Sequence, residues 1–249
     1  MKNNKIALVT GGSRGIGKGI VKSLVKSDYT VVFTYNNNDE LSKKIAEGYK
    51  SSGINVYSFK MDQSSRLSIQ NCIAEINKKF KQPISILINN AAIAQEKQFE
   101  MIDDSDWEIM LKTNLQGPFM IIQEVLQGMI NNNFGRIINI TSIGGQWGGF
   151  NQVHYAASKA ALINLTQSIA KIYSHKGITS NAIAVGLVQT EMAANELNSE
   201  EGKRKVSNIP IGRIAEVREI ADTVKFLCSE EASYITGQTI NLNGGMYFG

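Results

Sequence analysis

A phenol and an ammonium lie four positions apart in this sequence, at Tyr155 and Lys159, and the hydroxyl of Ser142 lies thirteen residues upstream of the phenol. On an α-helix, residues i and i+4 share a face, so the two side chains would be neighbours. A free phenol has a pKa near ~10, and a cation about 4 Å away at an effective dielectric constant of ~20 stabilises its anion by roughly three pK units. The spacing therefore predicts a tyrosine that exchanges a proton with substrate at neutral pH. A solvated helix face is the alternative for the bare pair.

Length and composition favour one domain over residues 1–249. The chain has 249 residues, of which 43% are hydrophobic, and only three prolines, without a low-complexity linker or an internal repeat. That is enough to bury a sizeable core. The start, Met1 to Lys5, is polar, and the apolar run Ile6 to Val9 ends at glycines, which predicts neither a signal peptide nor a membrane span. A cytoplasmic protein is expected.

Charge and cysteine content argue against several other classes of function. The net charge of +4 is mild, and the basic clusters are not interleaved with stacking aromatics, so nucleic-acid binding is not expected. Cys72 and Cys228 are far apart and are not part of a CxxC or histidine cluster. They are predicted to be reduced structural thiols, and no metal site is predicted.

Short runs rich in Ile and Val alternate with longer amphipathic segments, which is typical of parallel strands joined by helices. The predicted strands are Lys5 to Thr10, Thr30 to Tyr35, Asn55 to Lys60, Ile84 to Asn89, Arg136 to Thr141, Thr179 to Val185 and Gln238 to Leu242. Long helices are predicted near Asp104 to Asn133 and Gln152 to His175. The expected fold is α/β and Rossmann-like: a doubly wound, seven-stranded parallel sheet with helices on both faces. Ligands bind at the carboxyl ends of such strands.

The turn after the first strand reads Thr-Gly-Gly-Ser-Arg-Gly-Ile-Gly and holds Gly11, Gly15 and Gly17. Glycines let the backbone approach a pyrophosphate, and the following helix N-terminus supplies free amides and a partial positive charge. The spacing is a variant of the GxGxxG dinucleotide turn. Tight packing alone is the alternative. The cofactor-binding residues predicted in this turn are Gly11, Ser13, Arg14, Gly15, Ile16 and Gly17.

The end of the second strand bears on the choice of cofactor. An acidic side chain there would bind the adenine ribose and repel a 2′-phosphate, but Tyr35 and Asn36 occupy the place. Arg14 adds a cation, so NADP(H) is favoured over NAD(H). Asp39 or Glu40 would reach the ribose instead if the loop folded back.

Beyond the third strand, Asp62 is placed to meet the adenine amino group, with an N-cap role for the next helix as the alternative.

Over nearly its whole length, the chain resembles the short-chain dehydrogenase/reductase family. The glycine turn is similar to that family's TGxxxGxG, Asn89-Asn90-Ala91 to its NNAG, and Asn114 to its helix asparagine. Ser142, Tyr155 and Lys159 are similar to its catalytic set. Within the family, the β-ketoacyl-acyl-carrier-protein reductases are most similar, on Ser-Arg-Gly-Ile-Gly, on Ile209 to Arg213 and on the ending from Thr236 to Met246.

The resemblance implies a catalytic mechanism in which the nicotinamide delivers hydride to a ketone carbon while Tyr155 gives a proton to its oxygen. Ser142 would hydrogen-bond that oxygen, and Lys159 would lower the Tyr155 pKa and hold the nicotinamide ribose. Asn114 would anchor a proton-relay water, or would be a buried amide at a helix irregularity beside Gly117 and Pro118.

The resemblance also implies further cofactor contacts, among which Thr190 would bind the nicotinamide carboxamide or cap the following helix. The remaining implied cofactor-binding residues are Asn89, Ala91, Gly186 and Val188, together with Tyr155 and Lys159.

Residues 190–212 are expected to form a substrate lid.

The proposed activity is reduction of an acyl-thioester or other small-molecule ketone, with acyl carrier protein as a possible partner and a homotetramer as the expected assembly. Lys176 and Arg136 are the candidate cations for carrier docking at the active-site entrance. A sugar, polyol or other alcohol dehydrogenase and, more remotely, a non-catalytic nucleotide sensor are the alternatives. His154 is expected to have a surface or packing role, because it faces away from Tyr155.

Overall fold

The computed structural model describes residues 5–190 and 200–249. Its strands are β1 Ile6–Val9, β2 Thr30–Tyr35, β3 Val56–Lys60, β4 Ile84–Asn89, β5 Gly135–Ser142, β6 Ile178–Val185 and β7 Thr239–Leu242. They form one parallel sheet of seven strands in the order β3-β2-β1-β4-β5-β6-β7. The predicted fold class is confirmed, and the predicted strands agree with the observed ones to within one residue at each end.

Helices connect the strands and cover both faces of the sheet. They are α1 Gly15–Leu24, α2 Asp39–Ser51, α3 Arg66–Phe80, α4 Asp104–Leu111, α5 Gly117–Asn131, α6 Gly144–Trp147, α7 Val153–Tyr173, α8 Glu200–Ser207 and α9 Val217–Cys228. Short 3₁₀ turns lie at Phe99–Met101 and Ser174–Lys176. From β1 to β4, each pair of consecutive strands is connected by one helix: α1, α2 and α3 in turn.

The apolar strands are buried on both faces, which is why they read as continuous hydrophobic runs and not as alternating ones. Every residue of β1, β2, β4 and β6 is buried. One core lies between the sheet and the α1 and α9 helices, where Ile20 and Ile220 pack. The other lies against α3 and α5, where Ile69 and Ile121 pack. These two layers hold the strand ends rigidly in place.

The strand order reverses between β1 and β4, because β2 lies on one side of β1 and β4 on the other. The loops leaving the carboxyl ends of these strands turn in opposite directions and leave a crevice. The glycine turn follows β1, and Asn89-Asn90-Ala91 follows β4. The two segments singled out by the sequence therefore lie on either side of this crevice.

The long helix predicted near Asp104 to Asn133 is wrong in one respect, because a π turn at Lys112–Gln116 interrupts it. Within this turn, the Gly117 amide donates to the Lys112 carbonyl five residues back. Pro118 has no amide hydrogen for the carbonyl four residues before it, so a regular α-helix cannot continue through this point.

Within residues 5–190 and 200–249, no helix combines the length and the apolar content needed to cross a lipid bilayer. Cys72 and Cys228 are free, buried thiols on α3 and α9. Burial raises the pKa of Cys72 to about 12, which makes it an unreactive packing residue.

Candidate active site

The structure brings Ser142, Tyr155 and Lys159 together at the carboxyl end of β5. Ser142 is the last residue of that strand, and the other two lie one turn apart on α7. The Ser142 hydroxyl interacts with the Tyr155 phenol and lowers its pKa. The Gly144 amide donates to Ser142 Oγ at 3.1 Å, which fixes the serine hydroxyl at the start of α6. The arrangement presents two hydroxyls side by side to the crevice.

The expected lowering of the Tyr155 pKa by Lys159 is contradicted in this structure. Burial raises the pKa of Tyr155, and the hydrogen bond from Ser142 opposes that rise only in part. Lys159 Nζ lies 5.6 Å from the centroid of the tyrosine ring, and it donates to the Ile140 carbonyl at 2.9 Å. The ammonium is therefore directed at the backbone of β5, and the phenol keeps its proton at neutral pH.

Lys159 is itself strongly affected by burial. Its side chain is 3% exposed, and loss of hydration lowers its pKa to about 8. Only one protein acceptor, the Ile140 carbonyl, has a hydrogen bond with its ammonium among the described residues. Two of its three N–H groups are therefore available to a polar ligand.

Asn114 lies in the π turn, and its side chain is bound to the loop after β4. Its Oδ1 accepts from the Ile93 amide at 2.9 Å, and its Nδ2 donates to the Ile93 carbonyl at 2.8 Å. The same Nδ2 lies 3.3 Å from Ser158 Oγ, which donates to the Tyr155 carbonyl at 2.6 Å. The observed contacts are those of the buried-amide alternative, and they link the loop to α7.

The glycine turn is held by residues that were not among the predicted site residues, Thr10 and Asn90. Thr10 Oγ1 accepts from the amides of Asn90 and Ala91, both at 3.0 Å. Asn90 Nδ2 donates to the carbonyls of Thr10 at 2.9 Å and Gly11 at 3.2 Å. Their signal in the sequence is that each belongs to a motif at the end of an apolar strand, Thr10 to the glycine turn and Asn90 to Asn89-Asn90-Ala91. Together they fasten the end of β1 to the end of β4.

The backbone of the glycine turn and the start of α1 together form a place where an anion could approach. Gly11 and Gly15 have φ of +66° and +51°, which disfavour other residues. Arg14, the N-cap of α1, makes no side-chain capping hydrogen bond, and the first turn has no acidic residue. Uncapped amides at a helix N-terminus, beside a close glycine backbone, fit an anionic pyrophosphate.

Gly17→Ala tests this close packing. An added Cβ would lie 2.2 Å from the Gly11 carbonyl oxygen and 2.6 Å from Asn90 Nδ2. We expect a loss of about 1–3 kcal/mol in the free energy of unfolding, measured by denaturant titration. The matched control is Gly48→Ala in α2, where nothing lies within 4 Å of the added atom. That change should be neutral or stabilising. Equal stability of the two variants would contradict the packing.

At the far end of the crevice, Tyr35 is buried and Asn36 is exposed. Asp39 does not fold back toward the ribose position, because it begins α2 and its carboxylate pairs with Lys60 Nζ at 3.1 Å. Glu40 lies in the same helical turn and is exposed. Tyr35 and Asn36 therefore occupy the end of β2, and the next carboxylates along the chain belong to α2.

Asp62 lies just beyond β3 and does not cap α3. Its Oδ1 accepts from the Ser64 amide at 2.9 Å and from the Ser64 hydroxyl at 2.7 Å. Ser65 is the N-cap, accepting from the Ser68 amide. The capping alternative for Asp62 is therefore wrong.

Of the other predicted cofactor residues, Asn89 points into the protein, since its Nδ2 donates to Asn139 Oδ1 at 2.8 Å and it is 3% exposed. Ala91 packs against Gly11. Gly186 and Val188 follow β6, and the methyl of Thr190 would lie 3.7 Å from a Cβ on Gly15. The loop after β6 therefore meets the glycine turn. Ser13, Arg14 and Ile16 lie in that turn, partly or fully accessible.

The lid predicted over residues 190–212 is described only in part. Residues 191–199, and with them any capping role of Thr190 toward a following helix, lie outside the described residues. From Glu200 the segment forms α8, and the Ile211 amide then donates to the Gly244 carbonyl at 3.1 Å.

The expectation that Arg136 and Lys176 border the active-site entrance is wrong. Arg136 is the second residue of β5 and Lys176 lies two residues before β6, whereas Ser142 is the last residue of β5. Arg136 lies six positions before Ser142 on this strand, which corresponds to a distance of about 20 Å. Arg136 is also buried, donating to the Ser229 carbonyl and pairing with Glu230 at 3.3 Å.

Comparisons with known proteins agree with this geometry. A family model described as "Enoyl-(Acyl carrier protein) reductase" matches residues 11–247. The 3-oxoacyl-[acyl-carrier-protein] reductase FabG of Aquifex aeolicus (strain VF5) is 41% identical over 245 residues, which are 98% of this chain and 97% of that protein. The acetoacetyl-CoA reductase of Rhizobium meliloti (strain 1021) is also 41% identical, over 98% of this chain and 99% of that protein.

Among solved structures, the crystal structure of gox2181 superposes with a TM-score of 0.94 at 29% identity. The match covers 98% of this chain and 95% of that one. The similarity in sequence and in fold thus extends over nearly the entire molecule.

Proposed function

This chain belongs to the short-chain dehydrogenase/reductase family, and from that premise we propose that it is an NADP(H)-dependent reductase of 3-ketoacyl thioesters. The observation that carries the proposal is the meeting of two hydroxyls, Ser142 at the end of β5 and Tyr155 on α7, beside the buried Lys159 at the mouth of a glycine-lined crevice. The two relatives at 41% identity are named for the reduction of ketoacyl thioesters.

The residues present fit a nicotinamide dinucleotide. The uncapped N-terminus of α1 and the glycines before it would hold the pyrophosphate. Lys159, two of whose N–H groups have no acceptor among the described residues, would donate hydrogen bonds to the ribose hydroxyls of the nicotinamide half. When bound in its reduced form, the group supplies the hydride that converts a ketone carbon to a secondary alcohol carbon.

The side chains of the site supply the proton and hold the oxygen that receives it. Burial raises the pKa of Tyr155, so the phenol is protonated at neutral pH and ready to donate. Ser142, which interacts with that phenol, would donate a second hydrogen bond to the same carbonyl oxygen as negative charge develops there. Proton loss leaves a phenolate, which Lys159 on the adjacent helical turn stabilises electrostatically.

The preference for NADP(H) rests on the charges at the end of β2. Asn36 at the end of β2 and Arg14 in the glycine turn are exposed, and Asp39 is paired with Lys60. A 2′-phosphate bound here would meet an amide and a cation, and neither Tyr35 nor Asn36 adds a negative charge.

Asn36→Asp tests this preference by placing a carboxylate beside the proposed phosphate position. We expect NADPH to bind about tenfold more weakly, which corresponds to ~1.4 kcal/mol. NADH should bind equally well or better. Cofactor dissociation constants measured by fluorescence titration provide the readout. Asn132→Asp, an exposed asparagine directly after α5, makes the same change in charge and should leave both constants unaltered. Unchanged NADPH binding in Asn36→Asp would oppose the assignment.

The proposed activity is tested by following NADPH oxidation with a short acetoacetyl thioester, beside a panel of polyols with NADP⁺ or NAD⁺. We expect turnover with the thioester in the reductive direction and little or none with the polyols. Turnover confined to polyols would replace the proposal with a sugar or polyol dehydrogenase. A protein that binds cofactor but turns over neither substrate class would overturn both.

Assembly and carrier binding form part of the same proposal. We expect a homotetramer, measured by light scattering in solution, and a substrate presented on acyl carrier protein. Because Arg136 and Lys176 lie at the other edge of the sheet, carrier docking would depend on cations nearer the crevice, such as the exposed Arg14.

A further inference from the structure

His154 directly precedes the candidate proton donor on α7 and is fully buried. Its Nε2 lies 2.8 Å from Oε1 of Gln95, in the irregular loop that follows β4. Gln95 Nε2 in turn donates to Asp106 Oδ1 at 2.8 Å. A chain of hydrogen bonds thus runs from the first turn of α4, through the loop, to the first turn of the catalytic helix.

The chemistry of Asp106 sets the direction of every hydrogen bond in this chain. An ionised carboxylate only accepts, so the Gln95 amide must turn its NH₂ toward Asp106 and its oxygen toward His154. The imidazole must then carry its proton on Nε2 to donate to that oxygen. The other ring nitrogen, Nδ1, is buried without a hydrogen-bond partner among the described residues, so Gln95 alone among them holds the ring by a side-chain hydrogen bond.

Lys97 completes the cluster from the same loop. Its ammonium pairs with Asp106 and lies 3.7 Å from Asp103 Oδ2. Its backbone amide donates to the Asn151 carbonyl at 2.8 Å, just ahead of α7. The loop is therefore fastened to the start of the catalytic helix through both side chains and backbone.

A second link joins this loop to α7 on the other side of the catalytic residue. Asn114 binds the backbone of Ile93 and contacts Ser158, whose hydroxyl donates to the Tyr155 carbonyl. Tyr155 is thus flanked by two connections to one loop, at His154 and at Ser158. The loop itself has no regular secondary structure from residue 90 to residue 98, so these links determine where it lies.

We propose that the Asp106–Gln95–His154 hydrogen-bond chain positions the catalytic helix and the loop after β4 relative to each other, with Gln95 and His154 as positioning residues for Tyr155. The inference rests on the proposed function, since it assigns Tyr155 the role of proton donor. His154 touches neither reactant, and it acts through the orientation of its neighbour. Misplacement of a reacting group by about 1 Å reduces turnover by roughly 10²-fold.

The experiment compares two substitutions at one position. His154→Ala removes the donor, whereas His154→Gln keeps an N–H donor the same number of bonds from the backbone. In the NADPH-dependent reduction of an acetoacetyl thioester, we expect kcat to fall roughly 10- to 100-fold in the alanine variant, with KM and the NADPH dissociation constant nearly unchanged. The glutamine variant should recover most of the loss. His175→Ala replaces the only other histidine, which is exposed, and should behave as wild type.

Gln95→Ala and the Gln95→Ala/His154→Ala double variant complete a cycle, in which the double variant should be hardly worse than either single variant. Additive losses would oppose a shared role, as would equal losses in His154→Ala and His154→Gln. An NADPH dissociation constant that rises in step with the loss of kcat would indicate general damage to the site and would also overturn the proposal.

Hydrogen exchange gives a readout that needs no enzymatic activity. The Lys97 amide, bound to the Asn151 carbonyl, should exchange faster in His154→Ala than in wild type and return to near wild-type protection in His154→Gln. If wild type reduces no ketoacyl thioester, the proposed function fails while this tether can still be measured. If Lys97 protection is the same in all variants, the tether fails whatever the activity.

Discussion

Tyr155→Phe should abolish nearly all turnover, with a fall in kcat of roughly 10²- to 10⁴-fold, because only the proton donor is removed. The phenylalanine ring still fills its place on α7, and the groups proposed to bind the cofactor, the glycine turn and Lys159, are unaltered. We therefore expect the NADPH dissociation constant to remain close to that of wild type. Stability should change by only about 1 kcal/mol, for the lost hydroxyl and its interaction with Ser142.

The measurements are steady-state kinetics with an acetoacetyl thioester and fluorescence titration with NADPH. Tyr173→Phe is the matched control, since it makes the same chemical change on the same helix, at its last residue. It should retain full activity. Turnover of Tyr155→Phe near the wild-type rate would remove the tyrosine from the mechanism, and a parallel loss of NADPH binding would show that the substitution damages the site more widely.

The features that the sequence predicted correctly are those determined by local pattern. Apolar runs of four to eight residues are observed as buried parallel strands, because a strand covered on both faces consists mainly of hydrophobic residues. The glycines of the turn after β1 are required by positive φ at Gly11 and by the 2.2 Å approach at Gly17. Both constraints are visible in the residue types themselves.

The features that it did not predict depend on pairs of residues far apart in the chain. Gln95 and His154 are 59 positions apart, and nothing in either segment indicates that they meet. The Asp39 carboxylate on α2 does not reach the ribose position, because it pairs with Lys60 on β3. Arg136 was assigned to the wrong edge of the sheet, although the predicted strand from Arg136 to Thr141 already placed it at the amino end, opposite the carboxyl ends where the site lies.

The pKa of Tyr155 shows the same limit in energetic form. Helical spacing correctly placed Lys159 one turn away, and a pairwise Coulomb term then predicted a lowered pKa. The spacing gave no information about desolvation, which acts on both groups at once. Burial raises the pKa of the phenol and lowers that of the ammonium, because it stabilises the neutral form of each group relative to its charged form. The direction of the shift follows from the depth of the site, which depends on the whole fold.

The depth of the site has a consequence for stability. A lysine with a pKa of about 8 in the folded protein and 10.5 when unfolded binds fewer protons when folded between these two values. Stability therefore rises with pH across that window, and below about pH 8 the burial of Lys159 destabilises the fold by about 3 kcal/mol. Methionine fills a similar volume without a charge. Lys159→Met should then be more stable than wild type at pH 7, by about 1–2 kcal/mol once the Ile140 carbonyl has lost its donor.

The same substitution should reduce kcat by roughly 10²- to 10³-fold, because the phenolate formed on Tyr155 loses its neighbouring charge. Denaturant unfolding of both proteins between pH 7 and pH 10.5 tests the stability argument. The advantage of Lys159→Met should be largest at pH 7 and should diminish as pH rises, while the other titrating groups cancel in the comparison. Lys171→Met, an exposed lysine on the same helix, should show neither effect. A Lys159→Met protein that is less stable than wild type at pH 7, or an advantage that grows with pH, would mean that the ammonium stabilises the fold and that its pKa is not lowered by burial.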